Sequence, residues 1–131
     1  MYTTPIQIRF NDVDQMGHVN NAVIMEYFDL GKSNYFSAVG VPPELNDFTV
    51  MIVHYDVDFM AQVKYYDQLM VQTFCSRFGN KSLEITQKLV KEDGTVCVVC
   101  KAIMAGYCRS KSCSAPIPEE IKDRIRDLDA R

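Results

Sequence analysis

The sequence predicts an α+β fold, a mostly antiparallel five-stranded sheet wrapped around one long central helix, with a short helix near the C-terminus. Three observations carry that expectation. The stretch Asn21–Val39 has helical periodicity and is apolar round most of its circumference. Four later stretches alternate in character and are separated by short turns. The order is one strand, one long helix, then four strands, so the sheet must curl to cover the helix.

The first strand is expected where Ile6, Ile8 and Phe10 alternate with Gln7 and Arg9. A polar stretch follows, N-D-V-D-Q-M-G-H-V-N-N, from Asn11 to Asn21. It crowds two acids, a glycine, a histidine and three asparagines between a strand and a helix. In the helix, Ile24, Tyr27, Phe28, Gly31 and Tyr35 fall on one stripe, and Val23, Met25 and Leu30 broaden it. Glu26 and Asp29 occupy the residual polar face. Asn20 or Asn21 suits the N-cap, Gly40 suits the position after the last turn, and Pro42-Pro43 forbids continuation.

The second strand sets Met51, Val53, Tyr55, Val57 and Phe59 against Ile52, His54, Asp56 and Asp58. Gln68–Phe78 is the third, closed by Gly79-Asn80. Ser82–Glu92 is the fourth, with Leu83, Ile85 and Leu89 on one face. Asp93-Gly94 is a hairpin signal, and Thr95–Tyr107 is the fifth strand. Pro118–Asp129 reads as a short charged helix, opened by a proline and two acids.

With 131 residues, one domain spanning 1–131 is expected. Hydrophobic residues at 47% and charged residues at 24% exclude a disordered chain. A net charge of −3 argues against a nucleic-acid partner, which needs a basic surface, but leaves room for a small anionic ligand. No apolar run reaches the ~18 residues of a membrane span, so no membrane association is expected. Met1–Pro5 show neither a charged n-region nor an apolar h-region, so a cytoplasmic protein is expected. The five cysteines then read as reduced thiols. Cys97 and Cys100 form a C-x-x-C inside a strand, where positions i and i+3 point to opposite faces. No second ligand pair accompanies them, so no metal site is expected.

The polar stretch and the start of the helix, D-V-D-Q-M-G-H-V-N-N-A-V-I-M-E-Y-F-D-L-G-K from Asp12 to Lys32, fit the pattern D-x-D-x-x-G-h-V-x-[HNY] plus an aromatic helix. F-M-A-Q-V-K-Y-Y-D-Q-L-M-V-Q-T is similar to a turn and G-D-x-L-x-V segment, with Tyr66-Asp67 in place of Gly-Asp. G-N-K-S, the Asp93-Gly94 hairpin and A-P-I-P-E-E-I complete the match. The chain thus resembles the hotdog-fold thioesterases of the 4-hydroxybenzoyl-CoA thioesterase type.

That resemblance implies a sheet wrapped round the helix, a homodimer at least, paired into a homotetramer, with active sites at the dimer interface. It implies hydrolysis of an acyl thioester, usually acyl-CoA, with no cofactor. The second acid of the motif, Asp14, would attack the carbonyl or act as general base on water. A carboxylate is ionised and ready for either task at neutral pH. The backbone N–H seven residues later, at Asn21, would hold the oxyanion at the helix N-terminus. Gly17, His18, Val19 and Asn20 form the substrate-binding turn between them: Gly17 bends the backbone, His18 sits in the turn or on the pocket rim, Val19 anchors the turn in the core, and Asn20 begins the helix.

Plainer readings stand beside these. Asp12 caps the turn, and Tyr27 and Tyr35 belong to the core. His54 is a strand residue, and Glu26 takes a solvated or interface role rather than that of the helix carboxylate of another hotdog branch. His18 and His54 do not match the hotdog dehydratase arrangement. Asn21 stands where many members carry His or Tyr, which spares the backbone donor. Lys32 stands where Arg is usual and loses its bidentate geometry. Candidate cations for the CoA phosphates are Arg77, Lys81, Lys88, Arg109 and Lys111. An aryl or a medium-chain acyl group would suit the aromatic and Met content equally. An acyl-ACP thioesterase and a non-catalytic acyl- or CoA-binding protein remain the alternatives.

Overall fold

The computed structural model describes all 131 residues. In chain order it has β1 (Tyr2–Ile6), α1 (Asn21–Val39), β2 (Phe48–Phe59), β3 (Leu69–Phe78), β4 (Ser82–Lys91), β5 (Val96–Cys108), β6 (Cys113–Ser114) and α2 (Glu119–Asp129). Every pairing is antiparallel, in the order β1-β3-β4-β5-β2, and the two-residue β6 adds a sixth strand beside β5. Strands β2 to β5 and both helices are those the sequence predicts, and a strand precedes α1 as expected, though over other residues.

The helix starts where a side chain can close it. Asn20 Oδ1 accepts the Ala22 N–H at 2.7 Å, and Gly40, at φ 73°, ends it with its N–H on Phe36 O. The stripe predicted for α1 is buried against the sheet: Ile24, Tyr27 and Phe28 pack with Val71, Leu89 and Val98. Further along, Tyr35 and Val39 pack with Leu83, Ile85 and Met104, under Ile121, Ile125 and Leu128 of α2. Leu30 lies outside that stripe and is exposed.

A polar seam separates the two apolar clusters. Gln87 Nε2 donates to Phe28 O at 2.9 Å and to Thr73 Oγ1 at 3.1 Å. Lys32 Nζ, buried, donates to Gln87 Oε1 and to Tyr55 OH at 3.2 Å each and lies 3.3 Å from Asp29. That single contact to Asp29 is the point-charge geometry a lysine gives in place of arginine's fork.

Three expectations need correction. The first strand spans Tyr2–Ile6 rather than Ile6–Phe10. Asp12 captures the Arg9 N–H at 3.0 Å and folds Phe10–Asp12 into a 3-10 turn, so a local side-chain bond wins over the ladder. In β2 the alternation breaks at Val53, where the register with β5 shifts between Ile52 and His54. A bulge there inverts the parity: Phe48 and Val50 pack inward before it, Tyr55 and Val57 inward after it. In β5, Leu89 pairs with Val98 but Val90 with Val96, so Cys97 is an extra residue. That second bulge turns Cys97 into the same core as Cys100, so the two thiols do not lie on opposite faces. Burial pushes the Cys97 thiol up and the Cys100 thiol to about 11, as for inert core cysteines.

Candidate active site

The loop between β1 and α1 is built by its own carboxylates. Asp12 is buried and accepts the Tyr27 hydroxyl at 2.6 Å and Arg9 N–H groups. Burial works against its ionisation, but the bonds from Tyr27 and Arg9 win and hold its pKa below the usual carboxylate range. Burial also raises the Tyr27 hydroxyl pKa, helped by its bond to Asp12. Asp12 is therefore the turn cap expected of it.

Asp14 closes the next turn. Its Oδ1 accepts the Met16 N–H at 2.9 Å and the His18 N–H at 3.1 Å, which leaves Oδ2 without a partner. Asp14 N–H donates back to His18 O at 2.8 Å. Gly17 sits at φ 78°, a conformation L side chains rarely adopt, and its N–H donates to Asp14 O. Val19 is buried and donates its N–H to Val63 O at 2.8 Å, which pins the loop to the segment after β2. That segment is fixed in turn by Met60 and Ala61, whose N–H groups both donate to Cys97 O. The carbonyl that receives them belongs to the extra residue of the β5 bulge.

These constraints enclose a cavity of about 420 Å³ at the N-terminus of α1, lined by Asp14, His18, Val19, Asn20, Asn21 and Ile24 on one side and by 59–63 on the other. Asn20 takes up the Ala22 N–H, while the Asn21 and Val23 N–H groups make no hydrogen bond within the protein. The cavity thus brings together a carboxylate with a free oxygen and unpaired N–H donors at the positive end of a long helix. Such a pair can activate a nucleophile and hold an oxyanion.

Of the residues the sequence singles out, Asp14, His18, Val19, Asn20 and Asn21 share that wall. Gly17 shapes the turn without lining the cavity. Glu26 faces elsewhere, 3.8 Å from Arg9. His54 is the strand residue expected, exposed on β2. Tyr27 and Tyr35 are buried, as expected. The opposite wall, Phe59–Val63, is absent from the site the sequence predicts, although F-M-A-Q-V is visible there as a turn segment. Four of the five candidate phosphate cations lie at the far end of the sheet from this cavity, and Lys88 lies within β4, paired with Gln72 near the start of β3. Arg77, Lys81, Arg109 and Lys111 sit at the end where β3 closes and β5 finishes, whereas the cavity sits where β2 ends and β3 begins. Lys64, which no sequence pattern singles out, bridges directly to His18.

Known proteins share this fold. The model of the thioesterase-like superfamily matches residues 8–125. An uncharacterized protein of Bacillus subtilis, YsmA, is 22% identical over 120 residues, covering 92% of this chain and 82% of its own length. A Thermus thermophilus thioesterase, solved with coenzyme A and Zn, is 27% identical with a TM-score of 0.84, covering 98% of this chain and 94% of its own. A variant of 4-hydroxybenzoyl-CoA thioesterase, solved with 4-hydroxybenzoyl-CoA, shares the fold at 18% identity and a TM-score of 0.84, covering 95% of this chain and 97% of its own. A family match that runs through nearly the whole chain, from the first strand's exit to the last helix, means that this chain belongs to the thioesterase-like superfamily and is a hotdog-fold thioester hydrolase.

Proposed function

We propose that the protein hydrolyses acyl-CoA thioesters, with Asp14 as nucleophile or general base and the Asn21 N–H as oxyanion donor. One observation carries this reading: Asp14, with a free carboxylate oxygen, and the unpaired Asn21 N–H line the same cavity. As general base, Asp14 takes a proton from water while the water oxygen bonds the thioester carbon. As nucleophile, its free oxygen bonds that carbon and the resulting anhydride is hydrolysed. On either route the C–S bond breaks, the thiolate leaves and gains a proton, and a carboxylate is released. The charge on the carbonyl oxygen peaks against the helix N-terminus, where losing one donor typically costs ~10²–10³ in rate. His18 and Asn20 flank the entering thioester, and Gly17 and Val19 hold the turn. Coenzyme A is the proposed carrier because the similar Thermus enzyme is solved with it.

The whole chain, 1–131, acts as one unit in this reading, and two copies pair through β2. That strand is twelve residues long, ends the sheet, contains no proline, and exposes Met51, Ile52 and Val53 around its bulge. A long apolar edge of this kind is a template for pairing, and antiparallel self-pairing satisfies it by two-fold symmetry. Light scattering after size exclusion is expected to give a dimer or a dimer of dimers, and a monomeric wild type would overturn the pairing.

The reaction is tested by thiol release, read with a thiol-reactive dye, from a panel of aliphatic and aromatic acyl-CoAs. Wild type is expected to turn over at least one of them and folded Asp14→Ala none at a comparable rate. Equal rates overturn the role of Asp14. Silence of wild type across the panel overturns the acyl-CoA reading.

A further inference from the structure

We propose that Tyr66 and Lys64 bind the adenine nucleotide of the thioester's coenzyme A carrier, an inference that rests on the acyl-CoA reading above. Tyr66 is 89% exposed and Phe10 77% exposed, an unusual outlay of apolar ring on a surface. Tyr65 joins them, its ring 5.0 Å from that of Tyr66 and 6.4 Å from that of Phe10. Three rings, packed edge to face and tilted, therefore form one surface cluster with Tyr66 as its most exposed stacking platform. A large ring also stands at Tyr66 where the family pattern carries glycine, so the platform belongs to this chain and not to the fold's requirements.

The platform is fixed and close to the chemistry. Lys64 N–H donates to Asp67 Oδ2 at 2.7 Å and Asp67 N–H returns to Lys64 O at 3.0 Å, which closes the turn that carries Tyr65 and Tyr66. Lys91 holds Asp67 from β4 at 3.2 Å. Lys64 bridges to His18, and His18 lines the catalytic cavity. With Asp67 engaged by Lys91, the Lys64 ammonium makes no ion pair of its own. Beside the rings lies a second cavity of about 250 Å³, lined by 65–68, which includes Asp67, and by β1's exit at 6–8.

An exposed ring two residues along the same turn from an unpaired cation matches a nucleotide: the purine stacks, and the phosphates meet the ammonium. Acyl-CoA carries both groups at one end and the scissile bond at the other. The cavity at α1 receives the thioester, and the turn after β2 receives the nucleotide.

The test compares one acyl group on two thiols, coenzyme A and pantetheine, which lacks the nucleotide. Wild type, Tyr66→Ala and Lys64→Ala are assayed, with circular dichroism and light scattering to verify fold and assembly. Tyr66→Ala is expected to raise KM for acyl-CoA by about fivefold to a hundredfold while kcat holds. The wild-type preference for acyl-CoA over acyl-pantetheine should collapse in the variant. Adenosine 3′,5′-bisphosphate should compete with acyl-CoA on wild type and much less on the variant. An unchanged KM for acyl-CoA in Tyr66→Ala overturns the proposal, even where Asp14-dependent turnover is intact. A raised KM for an acyl carrier protein thioester alone also overturns it and assigns the patch to a protein. Should wild type hydrolyse no thioester, calorimetry with coenzyme A decides: weaker binding by Tyr66→Ala supports the proposal, and equal binding overturns it.

Discussion

The Oδ1 of Asp14 accepts the backbone N–H of His18 at 3.1 Å, four residues further along the same loop. With the Met16 bond at 2.9 Å, that one oxygen folds the turn and leaves the other free for the proposed chemistry. The division of labour separates two substitutions. Asp14→Asn keeps Oδ1 as an acceptor, so the loop should fold and thermal stability should stay near wild type. Its kcat should fall by about 10²–10⁴, since an amide neither attacks nor takes a proton at neutral pH. Asp14→Ala should lose the same activity and melt lower as well, because two backbone donors lose their acceptor. Calorimetry beside a thiol-release assay reads both, and a folded Asp14→Asn with near-wild-type kcat would remove Asp14 from the mechanism.

Asn20 caps the helix whose free N–H groups are proposed to hold the oxyanion. Replacing it with Ala should cost about 1 kcal/mol of stability, the usual value of a lost cap. The first turn of α1 then frays, and the donors it presents to the cavity lose their fixed direction. A drop in kcat greater than any rise in KM is expected, with recovery in Asn20→Asp or Asn20→Ser, which restore an acceptor. A kcat identical to wild type in a destabilised Asn20→Ala would separate the cap from catalysis.

Long-range architecture is legible in the sequence wherever periodicity runs long enough. The α1 limits follow from the 3.6-residue stripe bounded by Asn20 and Gly40, and both do the capping expected of them. The resemblance carried by the polar stretch points to Asp14 and Asn21, and both line one cavity wall. What stays hidden depends on single ladder irregularities. No residue type announces the bulges at Val53 and Cys97, because a bulge is decided by how a strand meets its neighbour. The Cys97 bulge then supplies the carbonyl that fixes Met60 and Ala61, so the second wall of the cavity is hidden with it. The early end of β1 is likewise set by one Asp12 side chain against a hydrophobic alternation that would otherwise run to Phe10.

The bond from Tyr27 to Asp12 should make stability depend on pH with a definite sign. The folded pKa of Asp12 lies below its ordinary value, so its contribution is present above about pH 4 and is lost as pH falls through the folded value. Tyr27→Phe removes a hydrogen bond to a buried charge, worth about 1.5–3 kcal/mol at neutral pH. The gap in Tm between wild type and Tyr27→Phe should therefore be widest near pH 7 and narrow below pH ~4. The ion pair to the mostly exposed Arg9 contributes little by comparison. A gap that holds constant into acid would mean the Tyr27 hydroxyl matters for packing and not for the Asp12 charge.

At Gly31 α1 lies close against the sheet, and two opposing effects of known size meet there. Alanine in a helix interior is favoured over glycine by about 1 kcal/mol. A methyl on Gly31, however, would lie 2.6 Å from Val71 Cγ1 and 3.0 Å from Gln87 Nε2. Val71 and Gln87 are both fully buried, and Gln87 Nε2 is committed to Phe28 O and Thr73, so neither neighbour can retreat without breaking other contacts. Overpacking of this kind typically costs about 1–3 kcal/mol, enough to cancel the propensity gain and usually to exceed it. Gly31→Ala should therefore lower the midpoint of chemical denaturation, whereas Ser37→Ala, on the exposed face of the same helix, should leave it unchanged or raise it slightly. A Gly31→Ala protein more stable than wild type would show that α1 and β3 can move apart, and that the close approach at Gly31 is not what holds helix and sheet in register.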